Sequence, residues 1–136
     1  MDNDYLKFQI TKIKEALAIL KENHQKLVDA MDIKSSINPN EYGRLDRILK
    51  EYIVIKVVAL IDKDKHTFSL LHLKNNQINT LLQKYSEMLK TMKKNRDKAF
   101  SHHEKHFIEN EEIMHTDDLF DLPLIDFLDE VEKELK

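Results

Sequence analysis

The sequence predicts an all-α protein, an antiparallel bundle of four principal helices that forms a single domain over residues 1–136. The chain contains one glycine and two prolines, so signals for tight turns are few. Apolar residues recur at helical spacing along most of its length. Charged residues make up 35% of the chain and hydrophobic residues 41%, a balance typical of amphipathic helices in a water-soluble protein.

The first helix is predicted from a heptad pattern. Its apolar positions alternate between spacings of four and three residues: Leu6, Ile10, Ile13, Leu17, Leu20, His24, Leu27 and Met31. This spacing suits a long helix that packs at a shallow angle in a bundle. His24 lies on the seam, where a histidine is more often a hydrogen-bonded core residue than a ligand. Residues 34–43 then have the composition of a loop.

The second helix is expected over residues 43–63. One apolar face comprises Leu45, Ile48, Leu49 and Tyr52, and residues 53–61 are then apolar on every side apart from Lys56. A helix that is apolar all round is buried on all sides, which few helices in a four-helix monomer achieve. We therefore expect a second copy to cover part of it, in a homodimer. The β-branched residues also suit a buried strand, but the helical face continues without a break signal.

Lys56 falls within the apolar face of the second helix. A lysine in this place either extends its amine to the surface, pairs with a carboxylate or lines a functional cleft. We keep all three interpretations and count Lys56 among the candidate supporting residues.

A polar connector, residues 62–67, leads to a third helix over residues 74–96. Its apolar stripe comprises Ile78, Leu81, Leu82, Tyr85, Met88, Leu89 and Met92. The same period places Arg96 near the centre of the stripe, so this arginine should point inward or toward a partner. The last helix is expected over residues 121–135, with Pro123 in its first turn. Its core face comprises Leu124, Leu128, Val131 and Leu135.

Several classes of protein are disfavoured by composition. The chain has no cysteine, so it has neither a disulfide framework nor thiolate chemistry. Its most apolar run, residues 52–61, is too short to span a bilayer. The first four residues are polar and acidic, unlike the start of a signal peptide. We therefore expect a cytoplasmic protein with no membrane partner.

The net charge of -3 hides an uneven distribution. Residues 108–136 carry 11 acidic and two basic side chains, so the remainder of the chain is basic. Residues 84–107 hold seven lysines and arginines against three acids, and three histidines besides. This zone can attract phosphates. The alternative is a solvated helix face balanced by the acidic last helix.

The candidate functional residues lie in residues 94–103, KNRDKAFSHH. Arg96 and His102 are separated by five residues. A guanidinium holds a phosphate in a planar fork of donors, and an imidazole transfers protons near neutral pH. Together they are a candidate pair for cutting RNA without a metal ion. Both residue types also occur at helix C-termini, where they complement the helix dipole.

Arg-Asp-Lys followed by a histidine, at the end of the third helix of a small all-helical chain, resembles the HEPN superfamily. The closest match is its abortive-infection-like branch, and members of the superfamily carry an Arg-x(4–6)-His motif. The resemblance implies a HEPN-like bundle that acts as a metal-independent endoribonuclease, either a toxin with a cognate antitoxin or an antiviral effector. It also implies a homodimer with both motifs in one cleft. Arg96 would stabilise the transferring phosphoryl group, and His102 would be the general base or acid.

A catalytically inactive HEPN-like module that binds RNA, a nucleotide or a partner protein is the alternative. It is favoured by Asp97, where the family pattern has asparagine, and by the lack of a tyrosine two positions after His102. His103 would share the face of Arg96 if the helix continued, so either histidine can be the functional one. Asn95 and Asp97 remain supporting candidates.

A zinc site is the rival chemical interpretation of the histidines. His102 and His106 are four residues apart and would share one face of a helix. However, His103 and His106 fall one residue short of the His-Glu-x-x-His spacing, and no third ligand is fixed by the sequence. We therefore predict no metal ion and no other cofactor.

Overall fold

The computed structural model describes residues 2–31, 39–101, 105 and 113–135. No β-strand occurs in these ranges, so the predicted all-α class is confirmed. The helices bounded there are α1 (Asp2–Ala30), α2 (Pro39–Ala59), α3 (Asn76–Lys84), α4 (Ser86–Asn95), α5 (Thr116–Asp121) and α6 (Leu124–Glu134). A 3-10 turn, Leu70–Leu73, precedes α3, and a π-helical turn, Arg96–Ser101, continues α4. None of the helices described is both long enough and apolar enough to cross a membrane.

The heptad seam of α1 forms one side of the core. Its residues from Leu6 to Leu20 are buried, as predicted. The seam ends earlier than expected, because Met31 is 70% exposed while its neighbour Ala30 is buried. A straight α-helix drifts by about 20° per heptad from a strict seven-residue repeat, so a long helix gradually turns a heptad stripe away from its neighbours.

Helix α2 differs from its prediction at both ends. It begins at Pro39, so the predicted loop over residues 34–43 extends too far, because proline suits the first turn of a helix. It ends at Ala59 and not near residue 63, since the chain turns back there. The carbonyl of Leu60 accepts hydrogen bonds from the Ser69 hydroxyl, at 3.0 Å, and from the Leu70 N–H, at 2.7 Å.

The apolar run in the second half of α2 is mostly covered by its own chain. Its buried residues are Ile53, Val54, Val57, Val58 and Leu60. The run therefore does not by itself require a second copy to cover it, contrary to the reasoning from sequence. Two residues that were predicted to lie on the core face of α2 are instead exposed: Leu45 is 39% exposed and Ile48 54%.

A polar network explains why α2 turns these apolar residues outward. Asp46 is buried, and its Oδ2 lies 2.6 Å from Nδ1 of His24. Its Oδ1 accepts a hydrogen bond from Nδ2 of Asn23 at 2.6 Å. The other ring nitrogen of His24, Nε2, lies 3.0 Å from Asp117 at the start of α5. Because Asp46 faces α1, the neighbouring positions Leu45 and Ile48 face away from the core. His24 is thus hydrogen-bonded within the fold, as expected.

The predicted third helix, residues 74–96, is divided at Tyr85 into α3 and α4. It starts at Asn76 because the Asn75 side chain caps it, accepting hydrogen bonds from the N–H groups of Gln77 and Ile78. The predicted stripe is buried at Ile78, Tyr85, Met88, Leu89 and Met92. The predicted last helix, residues 121–135, begins only at Leu124, after Pro123, and the short helix α5 before it was not predicted.

Tyr85 joins the α3–α4 junction to α6. Its hydroxyl donates a hydrogen bond to Oε2 of Glu130 at 2.5 Å, and Nζ of Lys84 lies 3.0 Å from Oε1 of the same carboxylate. The Tyr85 hydrogen bond, followed by that of Lys84, holds the pKa of Glu130 below its ordinary value. A carboxylate with a lowered pKa in the folded state stabilises the fold above its unfolded pKa. That stability is lost as the pH falls through the folded-state pKa.

We expect Tyr85→Phe to lower the melting temperature at neutral pH, because the Glu130 carboxylate loses its strongest donor. The difference from the wild type should narrow in acid, as the pH falls through the lowered pKa of the Glu130 carboxylate. Thermal unfolding followed by circular dichroism over an acidic to neutral pH series measures this. Glu134→Gln, which changes an exposed carboxylate of α6, is the control. A Tyr85→Phe deficit that stays constant into the acid range would contradict this origin.

Candidate functional site

Arg96 is the first residue of the π-helical turn that continues α4. Backbone hydrogen bonds in such a turn join residues five apart, one more than in an α-helix, and π-helical turns are frequent at functional sites. The α-helical period that assigns residues to the faces of α4 therefore ends at Arg96. His102 and His103, the two candidate histidines, lie outside the described residues.

The guanidinium of Arg96 pairs with the carboxylate of the next residue. Its Nε and Nη2 lie 2.8 and 2.6 Å from Oδ1 of Asp97. Both side chains are half-buried. Asp97, predicted as a supporting residue, is thus the internal counter-ion of Arg96. A phosphate that binds Arg96 through the same donors must share them with Asp97 or displace it.

Asn95 has a structural position beside this pair. It is buried, and its Nδ2 donates to the carbonyl of Thr91 at 3.0 Å. Its Oδ1 accepts a hydrogen bond of 2.6 Å from the N–H of Met114. Asn95 therefore ties the end of α4 to the chain segment that leads into α5, next to Arg96.

Lys56, the remaining supporting candidate, lies against Tyr52 on α2. Its Nζ is 5.7 Å from the centre of the tyrosine ring, within the range of a cation–π interaction. The side chain is half-buried, which fits the first of the three interpretations, a stem along the helix with the amine at the surface.

Arg96 lines a small pocket of about 110 Å³ between the end of α2 and α4. The other lining residues are Val58, Ile61, Asp62, Lys63 and Lys93. Three cations and one carboxylate thus surround an apolar floor. Within the described part of the chain, Lys63 and Lys93 have no ion pair with a carboxylate. Because Arg96 is paired with Asp97, the excess positive charge comes from Lys63 and Lys93, and it makes the pocket suitable for an anion such as a phosphate.

A second pocket of about 240 Å³ adjoins the first and shares Ile61, Lys63 and Lys93 with it. It adds Leu71, Leu82, Ser86, Leu89 and Lys90. We call the two pockets together the basic groove. Leucine and isoleucine form its floor, and Lys63, Lys90, Lys93 and Arg96 contribute its cations. Cations beside an apolar floor suit an anion that carries an apolar group.

Part of this groove was predicted from the sequence. Lys90, Lys93 and Arg96 lie in the predicted basic zone. Lys63 was missed because it lies in the polar connector after α2 and reaches the groove only through the packing of α2 on α4. No local signal in the sequence marks it.

In the described ranges, no three carboxylate or histidine side chains are arranged so that they could bind one metal ion. The zinc alternative involves His102 and His106, which are outside those ranges.

No protein-family model, curated protein or solved structure matches the chain. A function is therefore inferred from Arg96, its neighbours and the basic groove.

Proposed function

We propose that the chain is a HEPN-like helical bundle that cleaves single-stranded RNA without a metal ion, as a toxin or antiviral effector. The observation that carries the proposal is the meeting of Lys63, Lys93 and Arg96 around one pocket. Arg96 belongs to the motif that the sequence singles out, and the lysines supply charge that the motif alone lacks.

The proposed reaction is a transesterification within the RNA. A ribose 2′-hydroxyl attacks the adjacent phosphorus, His102 accepts its proton, and the 5′-oxygen of the next nucleotide leaves with a proton. The products are a 2′,3′-cyclic phosphate and a 5′-hydroxyl. Arg96 and Lys93 stabilise the charge that builds up on the phosphoryl oxygens. The leaving oxygen needs a second proton carrier, which a second copy of the motif in a homodimer would supply.

The shape of the groove favours single-stranded RNA over a duplex. Its apolar floor, which includes Leu71, Leu82 and Leu89, lies beside the lysines and offers a surface for an unpaired base. Bases in an RNA duplex are stacked, and the deep, narrow major groove hides their edges from side chains. Unpaired bases are free to leave the stack and contact side chains while the phosphates meet the cations.

An RNA-binding module without cleavage is the second candidate. The Arg96–Asp97 pair favours it, because the carboxylate already neutralises the guanidinium. Binding through Lys63, Lys90 and Lys93 does not require either motif residue. A cognate antitoxin or another partner protein with an acidic surface would compete for the same groove.

We expect the double variant Lys63→Gln, Lys93→Gln to bind single-stranded RNA more weakly at all sequences, because both lysines contact phosphates. The slope of log affinity against log salt should become shallower by about 0.7 for each lysine. Fluorescence anisotropy with a labelled oligonucleotide over a salt series measures both effects. Lys12→Gln, Lys26→Gln is the control, since both lysines lie on α1. Equal losses in the two double variants would contradict a defined groove.

A further inference from the structure

We infer that a second copy of this chain packs in parallel against the exposed face of α2. The α2 seam that makes this contact comprises Leu45, Ile48, Tyr52, Ile55 and Ala59. The inference deepens the proposed function, and it rests on that function only where it pairs the two RNA sites.

The spacing of the α2 seam is that of a coiled coil. Its members are three, four, three and four residues apart, the a and d positions of two heptads. Leu45, Ile48 and Ile55 are 39%, 54% and 40% exposed, Ala59 is exposed and Tyr52 is half-buried. An apolar stripe of this kind on a helix surface is suited to packing against a second helix.

The exposed apolar residues of α1 lack such a continuous pattern. Phe8 and Ile19 lie on its outer face, but the positions between them in the heptad are Lys12 and Glu15. Single exposed apolar residues are normal on protein surfaces, whereas continuous apolar patches mark contact sites. Of these two long helices, α2 alone has an exposed apolar stripe that runs through two heptads without a charged residue.

Charge at the edges of the seam identifies the occupant and its direction. With Tyr52 at an a position, Glu51 takes position g and Lys56 takes position e of the same heptad register. In a parallel pair, a g residue faces the e residue five positions later on the other helix. Glu51 of each copy therefore faces Lys56 of the other copy, which gives two equivalent ion pairs. In an antiparallel pair with full overlap, the two Glu51 carboxylates would face each other, which is unfavourable.

The parallel direction also has a consequence for the basic groove. Val58, Ile61 and Lys63 of the groove lie at the C-terminal end of α2 or just beyond it. A parallel pair places both grooves at the same end of the dimer. An antiparallel pair would separate them along α2, whose 21 residues span about 30 Å. Among pairs that bury the whole α2 seam, the parallel pair is therefore the one compatible with a composite site built from two Arg96–His102 motifs.

The oligomeric state tests the seam itself. Ile48→Glu, Ile55→Glu should convert a concentration-dependent dimer into a monomer with an unchanged circular dichroism spectrum, because both side chains are exposed. Ile19→Glu, Val28→Glu is the matched control on α1, where both residues are half exposed, and it should remain dimeric. Light scattering after size exclusion at micromolar to near-millimolar concentration measures the mass. A monomeric wild type at the highest concentration, or a dimeric seam variant, would overturn the inference.

The direction of packing can be tested by disulfide capture, since the chain has no cysteine of its own. In a parallel pair the two Ala59 positions face each other, so Ala59→Cys should form a covalent dimer under mild oxidation. In an antiparallel pair, Ala59→Cys would instead link to Glu41→Cys in a mixture of the two variants. Capture of only the mixed product would overturn the parallel arrangement.

These readouts do not depend on RNA. Covalent capture of Ala59→Cys without RNA cleavage would leave the interface intact and remove the proposed activity. Cleavage by a protein that is never captured would leave the activity intact and remove the interface.

Discussion

Replacing His102 or Arg96 by alanine is expected to lower the rate of RNA cleavage by about 100-fold or more. In the proposed reaction His102 accepts the proton of the 2′-hydroxyl, and loss of a general acid–base group typically has an effect of this size. Loss of a preorganised positive charge beside the phosphoryl group has a similar cost. Wild-type cleavage should persist in EDTA and leave a 2′,3′-cyclic phosphate. End-labelled single-stranded RNA, with chemical identification of the product ends, measures both results.

His103→Ala is the matched control for this experiment, because it removes an adjacent histidine and should have a smaller effect. If His103→Ala is the inactive variant instead, the catalytic role moves by one residue. If the wild type binds RNA without ever cleaving it, and Arg96→Ala and His102→Ala bind as the wild type does, the binding module is the better description. One zinc ion per chain in untagged protein, lost in His106→Ala, would favour the metal interpretation.

Replacing Asp46 by alanine is expected to lower the free energy of unfolding by about 3 kcal/mol, since a buried donor left without a partner costs about 1–3 kcal/mol. Asp46 accepts from Nδ2 of Asn23, which also donates to the carbonyl of Tyr42, and it faces a ring nitrogen of His24, so two groups each lose one contact at once. A loss of this size is a large share of the about 5–15 kcal/mol that holds a typical domain together. Urea unfolding followed by circular dichroism measures it.

Asp117→Ala is the control for the Asp46 variant, because both carboxylates contact the same imidazole. The Asp46 side chain is 6% exposed, whereas that of Asp117 is 80% exposed. An exposed ion pair is worth less than about 1 kcal/mol, so the Asp117 variant should be nearly as stable as the wild type. Equal losses in the two variants would mean that burial of Asp46 does not determine its contribution.

Asp46 also shows which parts of the fold can be predicted from the sequence and which cannot. Apolar spacing predicted the stripe of α4 and the first half of the α1 seam, because both helices bury one continuous apolar face. It failed for the first half of α2, where Leu45 and Ile48 form an equally regular pattern but face outward. The orientation of α2 is set by Asp46 with Asn23 and His24, which lie on another helix more than 20 residues away. Apolar spacing within one helix does not contain that contact.

The candidate site was predictable in the same partial way. Arg96 and the basic zone stood out because the residues are close in sequence. The pairing of Arg96 with Asp97 and the tie from Asn95 to Met114 depend on side-chain directions that spacing does not determine. Lys63 joins them only through tertiary packing. The positions of His102 and His103 stay predictions, since they lie outside the described residues.

The π-helical turn Arg96–Ser101 lies within the segment that separates the arginine from the histidine, so it bears on how the number of residues between them can change. A helix that gains one residue without changing its overall path accommodates it as a single wider turn, which is what a π turn is. Insertion or deletion of one residue in this turn would therefore change the count between arginine and histidine while leaving α4 intact. Evolution could lengthen or shorten such a motif by one residue at little cost to the bundle. The number of intervening residues is then a weaker guide to ancestry than the position of the arginine at the helix end.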